Sequence, residues 1–363
     1  MRILMITNAL SEGGVESLLL DLCRSLITSY HYKVSILVLN KNAVCLKQQF
    51  ENFGIDVIVG KYSNVYNPLN IFLIKKHILN FQIVHVHLFP GQLFAVLAHA
   101  LCANSKRISL ITTEHSTYNN RRKIHLFRFF DCFVYSKYKK VICISSQTEI
   151  NLKRWLRKVP VEVLTINNGI DIDRFRKASN KLCQYMQIDN AVQYLIMVGR
   201  FEYPKDQLTV IETMTYLPDN MHLILVGSGA TIQKCRDYVA ENGLSGRVYF
   251  LGNCKDVPSL LKGCKLGLLS TYWDGFGLVA VEYMAAGIPV IASDVDGLRD
   301  VVGRKDFLFK VGNAEELRDK ILWLLNDSNV YQQAVSYSVT NAQKYTIQKM
   351  VAGYVDVYQN ILK

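Results

Sequence analysis

No apolar run in these 363 residues reaches the roughly 18 needed to cross a bilayer as a helix, so no transmembrane segment is expected. The N-terminus offers one arginine and a brief apolar run broken by Thr7 and Asn8, which reads as a first strand and not as a secretory leader. The nine cysteines are scattered without a C-x2-C pair. That spacing argues against a disulfide scaffold and a cysteine zinc site, and points to buried thiols in a reducing cytoplasm. Repeats and low-complexity segments are missing. So is the G-x-G-x-x-G loop of a nicotinamide site: Val226-Gly227-Ser228-Gly229 comes nearest, but Ile232 stands at the third glycine position. Acidic balance is missing from one half only. Of 42 Lys/Arg and 30 Asp/Glu, 21 and 9 fall in residues 1–170 and 21 and 21 in residues 171–363, so the whole excess of +12 sits in the first half. An acidic surface partner for that half follows.

Half of the residues are apolar, enough for two cores, and about 150 residues per domain gives two domains. Strand patterns at Arg2–Thr7, Lys33–Leu39, Asp56–Val59, Ile83–His87, Ile108–Thr113 and Val141–Ser145 alternate with helical ones such as Val15–Thr28. A second cycle is expected to start near Val163, with strands at Tyr194–Val198, His222–Val226, Val248–Leu251, Leu266–Leu269 and Pro289–Ala292. Such alternation implies parallel sheets covered on both faces. Two doubly wound α/β domains facing a cleft are expected, with a linker at about Thr165–Asn168. The domains run 1–166 and 167–345, followed by an amphipathic segment 346–363 with Met350, Tyr354, Val357 and Ile361 at helical spacing.

The stretch Leu269–Leu298 organises the chemistry. An apolar strand ends at Trp273-Asp274, Gly275-Phe276-Gly277 follows, and a helical pattern begins at Leu278 and stops at Gly287. A glycine loop opening a helix leaves N–H groups facing outward, which is an anion site by construction. Asp274 and Glu282 at its edges repel phosphate and suit hydroxyl groups, so the stretch reads as a site for a phosphorylated polyol. Arg200 and Lys205, in a loop after the strand 195–198, are two cations that can converge on one diphosphate, with a solvated surface loop an equal alternative on these residues alone. Ser11-Glu12-Gly13-Gly14-Val15-Glu16 is a second glycine loop opening a helix.

These residues resemble those of retaining glycosyltransferases with the GT-B fold, family 4 (glycosyl transferases group 1). Asp274 and Glu282, with seven residues between them, are similar to that family's E-x7-E element, with Asp where the first Glu is usual. Gly199-Arg200 with Lys205 resembles its GR-x4-K element, Gly13-Gly14 its first-domain loop over the donor phosphate, and His115 a first-domain histidine near the sugar. The resemblance covers nearly the whole chain and implies a nucleotide-sugar, most commonly UDP-linked, as co-substrate. Arg200 and Lys205 would take the leaving diphosphate and Glu282 the ribose. Asp274 would hold a sugar hydroxyl, and the N–H groups of Gly275, Phe276, Gly277 and Leu278 the sugar or phosphate. The last helix would cross back to the first domain. No cofactor or metal is expected. Asp171-Ile172-Asp173 has the D-x-D shape of a metal motif but sits in a turn resembling the family's N-G-x-D-x-x-x-F interdomain element, while Asp294 and Asp296 read as local caps.

His85 and His87 are read as pointing to opposite sides of one strand, hence as unlikely joint ligands. The segment Arg121–Phe130, the lysines of Tyr135–Lys140 and the run Asn151–Lys158 mix cations with Phe and Trp, which suits an anionic membrane interface; a solvated helix face is the alternative. Nucleic acid is not expected, for want of a binding module. The expectation is therefore hexosyl transfer to a glycan or lipid-linked acceptor in surface polysaccharide or glycolipid biosynthesis, in the cytoplasm at the inner face of the membrane. A GT-B nucleotide-sugar 2-epimerase and a non-enzymatic polyanion binder are the alternatives.

Overall fold

The computed structural model describes residues 1–363 apart from Glu12, Asn104, Tyr118, Asn119 and Lys158 and the side chains of Asn120 and Arg121. The chain divides into two compact units, Met1–Gly169 with Ile347–Lys363, and Ile170–Thr346. Among the described residues, no helix is long and apolar enough to cross a membrane.

The first unit is built on seven strands: β1 (Arg2–Thr7), β2 (Lys33–Asn40), β3 (Asp56–Tyr62), β4 (Ile83–Val86), β5 (Ser109–Glu114), β6 (Lys140–Cys143) and β7 (Glu162–Thr165). Their order is β3-β2-β1-β4-β5-β6-β7, and every pairing is parallel. Central strands bury both faces, so they read as largely apolar runs: Ile3–Ile6 and Ile83–Val86, His85 included, are fully covered. The strand at 162–165, expected to open a second cycle, instead closes this sheet, with Val163 registered against Val141. A short strand's pattern does not say which sheet it joins. The helix Ile347–Leu362 also belongs to this unit; it buries Met350, Tyr354 and Tyr358. Its Gly353 lies against Ile166, where a Cβ would come within 3.2 Å of the side chain.

The second unit carries β8 (Gln193–Val198), β9 (Met221–Val226), β10 (Val248–Gly252), β11 (Leu266–Leu269), β12 (Val290–Ser293) and β13 (Leu308–Phe309), ordered β10-β9-β8-β11-β12-β13 and again all parallel. In both sheets the strand order reverses beside the first strand, between β1 and β4 and between β8 and β11. Ligands of such sheets bind outside the carboxyl ends of the strands at that reversal. The glycine loop, the Arg200–Lys205 loop and His87 all follow these four strands.

Candidate functional site

Four loops of the second unit are packed onto one another at the carboxyl ends of β9, β8, β11 and β12. The loop after β8 is tied to the end of β11 by Asp206 N to Ser270 O (3.1 Å), Tyr272 N to Pro204 O (3.0 Å) and an antiparallel bridge between Lys205 and Thr271. Against its other side lies the loop after β9. Gly227 and Gly229 hold φ of +135° and +150°, and a Cβ at either would overlap the carbonyls of Gly199 and Phe201. Only glycine allows both that backbone and that approach. Gly297, after β12, is equally constrained: a Cβ there would stand 2.6 Å from the Asp274 carbonyl oxygen.

Lys205 Nζ is 2.6 Å from Asp274 Oδ2, and both side chains are largely buried. Asp274 Oδ1 accepts from the N–H of Phe276 (3.1 Å) and of Gly277 (2.8 Å). Burial alone would raise the Asp274 pKa; the Lys205 ammonium and the two N–H donors outweigh it and hold the carboxyl below its usual range. The structure adds partners within the protein that the sequence reading did not foresee. Two of the N–H groups expected to meet the ligand are held by Asp274, and both oxygens of the carboxylate expected to meet a sugar hydroxyl have partners inside the protein. A carboxylate shortly before a left-handed Gly277 (φ +86°) is placed to fold back on the loop that follows. Leu278 and Val279, at the start of the helix Leu278–Ala286, have N–H groups without an intrahelical acceptor.

Arg200 and Lys205 do not share a partner. Arg200 is exposed and lies 3.7 Å from Glu202, while Lys205 is drawn to Asp274 by the bridge to Thr271. Glu282, half-buried one turn into the helix, has its carboxyl raised from 4.5 to about 7 by burial, opposed by the cation of Arg174. Asp171 caps a short helix through Arg174 N (3.3 Å), and Asp173 pairs with Arg176 and Lys177. Asp294 and Asp296 both pair with Arg299. No group of three His, Cys, Asp or Glu side chains able to hold a metal ion occurs among the described residues.

Sequence reasoning missed two supports of this site. Tyr283 is fully buried; its hydroxyl accepts from Val198 N (2.7 Å) and reaches Leu268 O (3.4 Å), so one side chain ties the ends of β8 and β11 together. Gly267 makes room for that ring, since a Cβ would collide with it. Asp206 is the other. It caps the helix Gln207–Thr213 through Thr209 N (3.3 Å) and accepts from Ser270 Oγ (3.1 Å). Aspartate just before an apolar helical pattern is a readable cap signal; the tyrosine carried none.

In the first unit, Gly13 caps the helix Gly14–Thr28 with an extended backbone; Glu12 of the same loop lies outside the described residues. His115 follows β5, and its Nε2 is 3.1 Å from His87 Nδ1. The rings of His85 and His87 lie 4.2 Å apart, centroid to centroid, which corrects the expectation that they point apart. Side chains two residues apart on a strand share a face. The basic segment is also rearranged. Arg122 is largely buried 3.5 Å from Glu114, itself hydrogen-bonded by Tyr135, and Arg128 donates to the Trp155 carbonyl at 2.8 Å. What the surface presents instead is Ile124, Leu126, Phe129 and Phe133 beside Lys123 and Lys137, with Leu126 77% and Phe129 79% exposed. The Arg121 side chain and Lys158 lie outside the described residues.

Two parallel sheets with loops of this kind at the reversal of strand order define a doubly wound α/β protein, and comparison with known proteins gives the family. Residues 12–174 match the model for Glycosyltransferase Family 4 and residues 184–340 that for Glycosyl transferases group 1. The chain belongs to this family of glycosyltransferases, and its fold is GT-B. The N-acetyl-alpha-D-glucosaminyl L-malate synthase of Bacillus anthracis is 26% identical over 332 residues, 85% of this chain and 84% of its own. The N,N'-diacetylbacillosaminyl-diphospho-undecaprenol alpha-1,3-N-acetylgalactosaminyltransferase of Campylobacter jejuni is 24% identical over 336 residues, 87% of this chain and 89% of its own. Among solved structures, Anabaena HepE in complex with UDP and glucose matches with a TM-score of 0.87 at 19% identity, over 99% of this chain and 100% of that one.

Proposed function

We propose that this chain is a retaining, metal-independent glycosyltransferase that takes a hexose from a UDP-linked donor and passes it to a hydroxyl of a lipid-linked or glycan acceptor. The observation that carries the reading is the Lys205 ammonium, held on Asp274 at the mouth of the loop that opens the helix Leu278–Ala286. A cation fixed before the reaction begins stabilises charge growing on a leaving diphosphate without reorganisation. Arg200, exposed at the other end of the loop after β8 that carries Lys205, adds a second cation, and together they would replace the divalent ion that other transferases use. Glu282 would accept from the ribose. In the first unit, Gly13 and Gly14 would meet the donor phosphate and His115 the sugar. UDP and glucose in the Anabaena protein support the donor, and the undecaprenol-linked name of the Campylobacter relative supports the acceptor.

A thermal-shift screen tests the donor. UDP-hexoses should raise Tm in the presence of EDTA, with about 2.7 kcal/mol added at a hundredfold excess over Kd. GDP- and ADP-sugars should leave Tm in place. Stabilisation that needs Mn²⁺ would remove metal independence, and turnover of UDP-sugar without acceptor, giving its 2-epimer, would favour the epimerase.

The acceptor side gains support from the exposed patch on the helix Leu126–Tyr135. We infer that it seats this unit on an anionic bilayer, apolar side chains in the headgroup boundary and the lysines at the phosphates. Leu126→Asn with Phe129→Asn should weaken binding to phosphatidylglycerol vesicles by tenfold or more. Vesicle binding that is unchanged, with folding intact, would return the patch to plain surface.

A further inference from the structure

The buried histidines of the first unit form a chain with two open ends. His85 is satisfied on both nitrogens: Nδ1 lies 2.7 Å from the Tyr358 hydroxyl and Nε2 2.7 Å from Thr113 Oγ1. With its ring fixed from both sides, His85 offers a flat face on which the His87 ring rests at 4.2 Å between centroids. That contact, with the His87 backbone N–H bonded to Ile6 O (3.0 Å), sets the ring that meets His115 Nε2 through Nδ1 at 3.1 Å. The remaining nitrogens, His87 Nε2 and His115 Nδ1, are buried and have no hydrogen-bond partner among the described residues.

All three imidazoles are neutral at pH 7. Burial, aided by the neighbouring rings, lowers His85 to about 3 and His87 well below 6.5, and burial takes His115 to about 4. A neutral imidazole carries one N–H. The contact between His87 and His115 needs one proton between its two nitrogens, so only two arrangements exist. Either both rings are protonated on Nδ1, leaving a bare His87 Nε2 and a donating His115 Nδ1, or both are protonated on Nε2 and the open ends exchange roles. Their tautomers are locked together.

Both open nitrogens are buried, but the residues that carry them differ: His87 is 1% exposed throughout, whereas the His115 side of the pair reaches the surface in part, and only there can a ligand come near. An orphaned N–H is the rarer and costlier defect in a protein interior, and a bare acceptor is better tolerated. The arrangement with the bare nitrogen at the deeper end therefore wins. We propose that His87 is a positioning residue whose Nδ1–H fixes His115 as the Nδ1-protonated tautomer, so that His115 presents a hydrogen-bond donor to a hydroxyl oxygen of its ligand. What that proton meets rests on the reading of His115 as a sugar contact. The coupling between the rings does not.

Histidine-selective ¹⁵N NMR on the full chain separates the two. A long-range nitrogen–proton correlation reports which ring nitrogen carries the proton, and His115→Gln assigns the His115 pattern by its loss. In the unaltered protein the His115 proton should sit on Nδ1. In His87→Phe, which keeps a ring over His85 but removes the donor, it should move to Nε2 or divide between the two. His87→Asn keeps an amide donor near the place of Nδ1 and should restore the Nδ1–H pattern. A His115 proton found on Nε2 in the unaltered protein, or retained on Nδ1 in a folded His87→Phe, overturns the proposal. Should His87→Phe fail to fold, the unaltered protein and His87→Asn still decide it. Titration with UDP-glucose is the separate arm: a His115 pattern blind to saturating UDP-glucose would remove the sugar contact while leaving the coupled pair in place.

Discussion

Lys205→Met is expected to lower kcat/KM for UDP-sugar by about 2.7–4 kcal/mol, a hundredfold to a thousandfold, the range for loss of one preorganised group from a site of growing charge. Most of that loss should fall on kcat, because the charge on the diphosphate grows as the bond breaks. Arg200→Ala should cost at least about 2 kcal/mol for the same reason. Asp274→Asn should be felt just as widely. Its carboxylate orients Lys205 from Oδ2 and holds the N–H groups of Phe276 and Gly277 from Oδ1. The amide keeps an acceptor for the loop but no longer holds the ammonium in place, and where that positioning outweighs the repulsion removed, every donor, and free UDP with them, should bind more weakly. Steady-state kinetics of the single and double variants on a panel of nucleotide-sugars make the measurement. Contacting residues should be non-additive, with a coupling of about 0.5–3 kcal/mol. Additive effects, or an Asp274→Asn that changes sugar preference while sparing UDP, would return Asp274 to the sugar.

Why the sequence marked these loops but not the contacts that their side chains make within the protein is a matter of what its signals encode. Apolar runs separated by helical periods identified eleven of the thirteen strands, because strands buried on both faces are largely apolar. The thirteenth, Leu308–Phe309, is two residues long and carries no period at all. Glycines at 227, 277 and 297 marked backbone that other residues rarely adopt, which is why the loops at the carboxyl ends of β9, β11 and β12 stood out. Residue type says less about direction. Arg200 and Lys205 read as one clamp because they are close in sequence, yet Lys205 is turned to a residue 69 positions away. The same holds for Arg122 and Arg128, which composition places on a basic face. In the fold each finds an acceptor in its own unit, Glu114 and the Trp155 carbonyl, and the surface is left to the apolar side chains between them. Tyr283 and the histidine chain show the converse. Their partners lie as far as 273 residues away, as with His85 and Tyr358, so no local pattern announces them.

Glu282→Gln should stabilise the protein while weakening its hold on nucleotide. Burial raises the Glu282 carboxyl from 4.5 to about 7, with Arg174 opposing. A folded-state pKa above the unfolded one means that the native protein binds more protons between those values, so stability falls as pH rises from 4.5 to 7. Below 4.5 the acid is neutral in both states and the charge contributes nothing; above 7 the full cost of a buried carboxylate is present. One pH unit between the two values corresponds to about 1.36 kcal/mol, and for a half-buried group the difference should settle at about 2 kcal/mol. Glutamine carries no charge to bury. Its Tm should therefore match the parent near pH 4.5, draw ahead through neutrality and hold a constant lead above about pH 8. Binding runs the other way. A carboxylate accepting from ribose hydroxyls is a stronger partner than an amide, as charged acceptors are roughly twice as strong as neutral ones. UDP should bind Glu282→Gln more weakly, and its affinity for the parent should rise with pH through 7 as the carboxyl ionises, while that of the variant stays flat. Calorimetric titration of UDP at about pH 6 and about pH 8 on both proteins reads the two effects apart. A pH-independent parent affinity would take the ribose away from Glu282. A Tm gap that did not depend on pH would show instead that the substitution acts through packing, with no buried charge relieved. Opposite signs in stability and binding are what a site residue held at the expense of the fold should give.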